Sequence, residues 1–360
     1  MSQATDFPRQ PEKLTPAWLT RLLGTEVRSF ALEAIGHGVG MVGSTLRVEL
    51  EYQDPDAAAP RSLVMKFAHE VEARRAVGMK LRLYETEVTF YNNIAGSVAV
   101  PKPACYFAAV DPDTFECLIV LEDMRRYRQG DQFAGVGLAE AKHVLDAITP
   151  LHAVYWENTS QEYLRDAMRV GSTWKERYME LVEGTWRNCI AQFGYCIPAE
   201  IERSMGKYVE GLGPLHGTMA GRAQTLVHGD PRMDNLMFNH GGEGPPVVLL
   251  DWQTLMITNP LHDLAYMLSQ SASIEARRAM EDELVRYYHA KLTGLGVTDY
   301  SLEQCYEDYD VAVLYMMSVA FVMGGAFDPA NARGKRLAEE TLRRACASVV
   351  DRGLLERIPA

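Results

Sequence analysis

The chain has 360 residues, 47% of them hydrophobic and 23% charged, which is the size and balance of two domains or of one two-lobed enzyme with a sizeable core. A formal charge of −12 with no long Lys/Arg run excludes a typical nucleic-acid-binding surface. The cysteines at 105, 117, 189, 196, 305 and 346 are scattered without a CxxC pair or paired histidines, so neither a zinc site nor a disulfide framework is expected.

Met1 to Glu12 is polar and lacks the apolar core of a signal peptide, so a cytoplasmic protein is expected. Thr15-Pro16 opens a short helix, Thr as N-cap and Pro at the first helical position, running to Gly24. Phe30 to Ile35, Thr45 to Tyr52 and Ser62 to Phe67 then read as a meander of strands. Between the first two strands sits Gly36-His-Gly38-Val-Gly40-Met-Val-Gly43, whose glycines would let backbone N–H groups approach phosphate oxygens. A Gly-rich hairpin turn has the same composition. Its place between strands, without a Gly-Lys-Ser/Thr ending, disfavours both a Rossmann fingerprint and a P-loop.

Lys66 lies in the third strand, where a cation could reach nucleotide phosphates if a carboxylate held it; an outward-facing lysine would give the same pattern. The helix that follows supplies a candidate. Glu87 has Leu83, Tyr84, Phe90, Tyr91 and Ile94 at positions i−4, i−3, i+3, i+4 and i+7, so it sits in the apolar face and needs a cationic partner. Lys66–Glu87 is the expected pair.

Strands from Cys105 to Val110 and Phe115 to Leu121 flank the turn Asp111-Pro-Asp-Thr, and the second empties into the polar linker Glu122-Asp123-Met124. That linker is a lobe boundary whose backbone could pair with an adenine edge, or an exposed connector. The expected division is a helical N-terminal segment (1–24), a β lobe (25–124) and a helical lobe (125–360). In the last, helices are expected over Leu138 to His152, Gln161 to Met168, Trp174 to Gln192, Pro198 to Leu212, Leu261 to Ser269, Ile274 to Leu295, Leu302 to Gly324 and Arg336 to Arg352. The uncharged run Val311 to Phe327 contains Ser318 and Gly324-Gly325 and is short for a span, so a buried helix and no membrane partner are expected.

The chemistry concentrates in Leu226-Val-His-Gly-Asp230-Pro-Arg-Met-Asp-Asn235, followed after a hairpin by Val247-Val-Leu-Leu-Asp251-Trp252. A carboxylate, an amide five residues on and a second carboxylate at a strand end suit metal-assisted phosphoryl transfer, one acid taking a hydroxyl proton and an oxygen-only pair holding magnesium. A chance match to His-Gly-Asp-x4-Asn in a chain of this length is on the order of one in a thousand.

Together with Val64-Met-Lys66, Glu87-Val-Thr-Phe-Tyr91, Val120-Leu-Glu-Asp-Met124 and Asn259-Pro-Leu-His-Asp263-Leu-Ala-Tyr266, these motifs resemble the aminoglycoside phosphotransferase/choline kinase superfamily. Within it they are most similar to bacterial ecdysteroid-kinase-like proteins and to phosphotransferases associated with acyl-CoA dehydrogenases. The resemblance implies an α+β, protein-kinase-like bilobal fold, with an antiparallel β lobe carrying one main helix and a larger, mostly helical lobe. It implies ATP and Mg2+ as cofactors and a small-molecule alcohol as acceptor. Asp230 would be the catalytic base, with His228 and Arg232 beside it in the loop, and Asn235 and Asp251 the metal ligands. Lys66, positioned by Glu87, would hold the α- and β-phosphates under the Gly36, Gly38, Gly40 and Gly43 loop. Glu122 C=O and Met124 N–H would bind adenine, and His228 and Asp263 would rigidify the catalytic loop. Arg232 and Asp234 depart from the residues of many antibiotic kinases, which makes a resistance enzyme the lesser reading. A nucleotide-binding pseudokinase is the alternative of a different class. A protein kinase is disfavoured because Asp251-Trp-Gln stands where Asp-Phe-Gly would be.

Overall fold

The computed structural model describes residues 6–35, 43–69, 72–326 and 331–359. Contacts divide the chain into one unit of Met1–Ser97, Lys102–Arg128 and Leu250–Gln253, and a second of Val98–Pro101, Gln129–Leu249 and Thr254–Ala360. The segment carrying Asp251 therefore packs with the first unit although its neighbours in sequence belong to the second.

The first unit begins with α1 (Pro16–Leu23), capped by the Thr15 hydroxyl on the Trp18 N–H and ended by Gly24 in the left-handed region. Strands β1 (Val27–Ile35), β2 (Gly43–Tyr52) and β3 (Ser62–Ala68) follow, then helices α2 (Glu72–Lys80) and α3 (Leu83–Thr89), then β4 (Cys105–Val110) and β5 (Cys117–Glu122). They form an antiparallel sheet of order β1-β2-β3-β5-β4. Along β3 the alternation puts Leu63, Met65 and Phe67 into a core with Trp18 and Leu19 of α1, and Lys66 on the other face. α2 was not legible in the sequence, because its run from Glu72 to Lys80 is polar and has no apolar stripe.

The helix expected from Leu83 to Ile94 is α-helical only to Thr89; Phe90–Ile94 is a π-helical turn. Phe90 stacks on Trp252 at 3.8 Å and 7°, and such a bulge re-aims side chains without breaking the helix.

The chain passes from the first unit to the second within β6 (Arg128–Gln129), which is followed by α4 (Leu138–Val154), β7 (Met168–Arg169), α5 (Thr173–Phe193) and α6 (Ala199–Ala220). The 225–252 stretch supplies β8 (Thr225–Val227), β9 (Leu236–Phe238) and β10 (Val247–Leu249), with β11 (Met256–Thr258) beyond it. Helices α7 (His262–Tyr266), α8 (Ile274–Gly294), α9 (Leu302–Ala326) and α10 (Ala332–Asp351) complete it. β6, β9 and β10 form one small sheet, of order β10-β9-β6, and β7, β8 and β11 another, of order β7-β11-β8. Gln161 to Met168 is not the expected helix. It holds one 3-10 turn at Glu162–Leu164 and then β7, because Met168 and Arg169 pair with Met256 and Ile257 of β11. α9 is long and apolar enough to cross a membrane, and 67% of its most apolar window is buried inside the protein. It packs against α5, α7 and α10.

Candidate active site

In the first unit the expected lysine–acid pair forms. Lys66 Nζ lies 2.6 and 2.8 Å from the two Glu87 carboxylate oxygens and 2.7 Å from Asp251 Oδ1. Glu87 is 3% exposed, so its charge is stabilised by this cation and by the Trp252 backbone N–H rather than by water. Burial alone would lower the lysine's pKa, but the charges of Asp251 and Glu87 outweigh it and hold the pKa above its ordinary value. Burial raises the Glu87 pKa and Lys66 opposes that rise. Asp251 sits at φ 65°, a left-handed conformation that aspartate tolerates better than most residues, and Gln253 Nε2 donates to its second oxygen at 3.0 Å.

Glu122 ends β5, its N–H bonded to the Ala104 carbonyl at 2.8 Å, and the Met124 side chain is buried. Between them Asp123, not singled out from sequence, accepts from Arg47, Ser62 and Arg125 at 2.6–2.9 Å. Burial would raise its pKa; those donors reverse the effect and leave it lowered. Gly36, Gly38 and Gly40 lie outside the described residues. Gly43 starts β2, where a Cβ would stand 2.9 Å from the Phe67 carbonyl oxygen.

In the second unit, β8 delivers His228-Gly229-Asp230. Gly229 has φ 88°, and a Cβ there would lie 2.1 Å from the Thr254 carbonyl oxygen, so no other residue fits this turn. The buried Asp263 carboxylate accepts from the His228 N–H at 2.8 Å and the Gly229 N–H at 2.9 Å, and its Oδ2 is 3.1 Å from His152 Nε2. Burial pushes the Asp263 pKa up, but His152 and the neighbouring histidines outweigh it and leave it lowered. His152 Nδ1 in turn meets the Tyr288 hydroxyl at 2.7 Å. The Asp230 N–H donates to His228 Nδ1 at 3.2 Å, which ties the His228 ring to the backbone of the loop.

The Asp230 carboxylate lies 3.6 Å from Arg232 Nε, and burial first and the Asp230 charge second raise the pKa of the Tyr266 hydroxyl. Asn235 Nδ2 donates to the Asp230 carbonyl at 2.9 Å, which leaves the amide oxygen as the atom able to take a cation. Asn235 and Asp251 are hard oxygen donors of the kind magnesium takes. Among the described residues no group of three or more His, Cys, Asp or Glu could hold a metal. Sequence reading missed His152, Tyr288 and Tyr266 as partners of this loop. Tyr266 belongs to the quoted Asn259–Tyr266 motif, whereas His152 and Tyr288 sit in helices with nothing local to mark them.

The sequence profile of the ecdysteroid kinase-like family matches residues 37–296, most of the chain. The chain belongs to that family. No curated protein matches the sequence significantly. Solved structures share the fold of this ecdysteroid kinase-like protein at low identity. A candidate aminoglycoside phosphotransferase from Ralstonia eutropha JMP134 is 16% identical with a TM-score of 0.55, over 96% of this chain and 98% of that one. Choline kinase from Cryptosporidium parvum is 9% identical with a TM-score of 0.55, over 91% of each chain. Ethanolamine kinase from Plasmodium vivax is 12% identical with a TM-score of 0.51, over 88% and 82%. The ecdysteroid kinase-like chain therefore has the protein-kinase-like fold that these structures share.

Proposed function

We propose that this protein is an ATP-dependent phosphotransferase that moves the γ-phosphate to a hydroxyl of a small molecule. The observation that carries the reading is Lys66, gripped by Glu87 and Asp251 at 2.6–2.8 Å. A cation held this way is ordered for phosphate oxygens before any nucleotide arrives. Family membership supports the reaction class, and an aminoglycoside phosphotransferase of similar fold, solved with GDP and kanamycin, supports nucleotide use.

In this reading Lys66 binds α- and β-phosphate oxygens, while the backbone at Glu122 and Met124 pairs with the base and the glycine loop through Gly43 covers the nucleotide. Asp230 orients the acceptor hydroxyl and takes its proton as that oxygen bonds to the γ-phosphorus and the β–γ bridging bond breaks, releasing the nucleoside diphosphate. Arg232, 3.6 Å from the Asp230 carboxylate, orients it. Magnesium, when bound by Asp251 and the Asn235 amide oxygen, would supply charge neutralisation at the phosphates.

The test is an ATP-consumption screen over alcohols and amino-alcohols, with products identified by mass spectrometry. On the acceptor so found, Asp230→Asn is expected to lose about 10²- to 10⁴-fold in kcat, and Asp251→Ala to lose turnover with its magnesium dependence. Wild-type rates in both variants would remove the mechanism. Magnesium-dependent nucleotide binding with no turnover on any acceptor would favour the pseudokinase reading instead.

A further inference from the structure

The 3-10 turn Met233–Asn235 carries the amide assigned to the metal, and its preceding residue, Arg232, offers no side-chain cap. The first N–H of such a turn has no partner within it and, where buried, needs an acceptor from elsewhere. That acceptor comes from 101 residues away: Gln132 Oε1 lies 2.9 Å from the Met233 N–H. Gln132 is 2% exposed, and its own position is over-determined. Its Oε1 also accepts from Ser271 Oγ at 3.0 Å, and its Nε2 donates to the Gln270 carbonyl at 3.0 Å.

The backbone beneath it is pinned as well. The guanidinium of Arg344, on α10 and 5% exposed, donates to the carbonyls of Gln132 at 2.8 Å, Phe133 at 3.0 Å and Gln270 at 3.2 Å. On the catalytic side the Gly130 N–H donates to the Leu236 carbonyl at 2.8 Å, and a Cβ on Gly130 would stand 2.5 Å from the Met233 carbonyl oxygen. Gln129 Nε2 reaches the Asp234 carbonyl at 2.6 Å. The segment from 129 to 133 thus lies along the catalytic loop on one side and is fastened to the π-helical turn Met267–Ser271 and to α10 on the other.

We infer that Gln132 is a positioning residue for phosphoryl transfer: as the remote cap of the 233–235 turn, fastened through Arg344, it sets the geometry of Asn235 and, through the Asn235 bond to the Asp230 carbonyl, of the catalytic loop. The catalytic part of this inference rests on the phosphotransferase reading; the brace itself does not. Gln132→Met keeps the shape of the side chain and removes its acceptor, whereas Gln132→Glu keeps the acceptor.

Three measurements on the full chain decide it: hydrogen exchange of the 229–238 peptide without ligand, affinity for a fluorescent ATP analogue without magnesium, and kcat on the acceptor identified by the screen. Loss of a buried cap predicts for Gln132→Met an exchange rate and a kcat each changed by about tenfold, faster and slower respectively, with nucleotide affinity kept. Gln132→Glu should recover loop protection relative to Gln132→Met. Wild-type exchange in Gln132→Met, or poorer protection in Gln132→Glu than in Gln132→Met, overturns the inference, because packing and not the acceptor would then be what matters. If Asp230→Asn retains wild-type turnover while Gln132→Met loses loop protection, the kinase reading fails and the brace stands.

Discussion

At the scale of single residues, burial decides which polar groups act and which merely fit. Lys66, Glu87 and Asp263 are each held by opposite charge or by donors, so their burial is compensated. His216 is different. It is fully buried on α6 against the rings of Tyr178 and Tyr315, both of its nitrogens lack hydrogen-bond partners among the described residues, and the charge of Lys175 acts on it. Burial first, and Lys175 second, pull its pKa down to about 4. A histidine in the unfolded chain titrates near ~6.5, so the folded state refuses a proton that the unfolded state accepts. The contribution to stability is complete above that value and is lost as pH falls towards the folded value, in all roughly 3 kcal/mol. His216→Phe should flatten the dependence of the melting temperature on pH between about 6.5 and 4 and leave neutral stability equal or higher. Melting curves across that range check it, and an unchanged acid slope would show that His216 is not the group responsible.

At the scale of elements, the helix-rich unit depends on close approaches that composition does not announce. α9 passes α5 so tightly that a Cβ on Gly325 would lie 2.2 Å from the Thr185 carbonyl oxygen. Gly325→Ala must therefore push two long helices apart, at a cost of about 1–3 kcal/mol for overpacking. The expected result is a melting temperature lower by a few degrees, read by calorimetry, with the affinity for nucleotide unchanged. The same logic explains which elements were legible. α1 carries its N-cap and C-cap in Thr15 and Gly24, and β3 carries its alternation, so both could be read locally. β7 is strand only because β11 pairs with it, and the Phe90–Ile94 turn is π-helical where Phe90 stacks on Trp252, a residue far along the chain.

At the scale of the whole molecule, no group of three or more His, Cys, Asp or Glu among the described residues is placed to hold a metal, and the six cysteines are free. Chelation of magnesium by EDTA is accordingly expected to abolish phosphoryl transfer while leaving the melting temperature of the nucleotide-free protein within a degree or so. A large drop in melting temperature on chelation would mean that a metal supports the fold itself.

The sequence by itself determined the candidate site residues and their order: a strand lysine, a buried acid on the next helix, an Asp-x4-Asn loop and an Asp at a strand end. Each carries a local mark, either a spacing along the chain or a charged residue on an apolar face, and such marks survive without coordinates. The tertiary structure alone decided which distant groups hold them. Asp251 as the second partner of Lys66, Asp263 beneath His228 and Gly229, and Gln132 with Arg344 at Met233 are contacts across 185, 35, 34 and 101 residues. A buried glutamine or aspartate carries no periodicity that names its partner. Its hydrogen bonds are fixed only when packing excludes water and obliges each donor to find an acceptor.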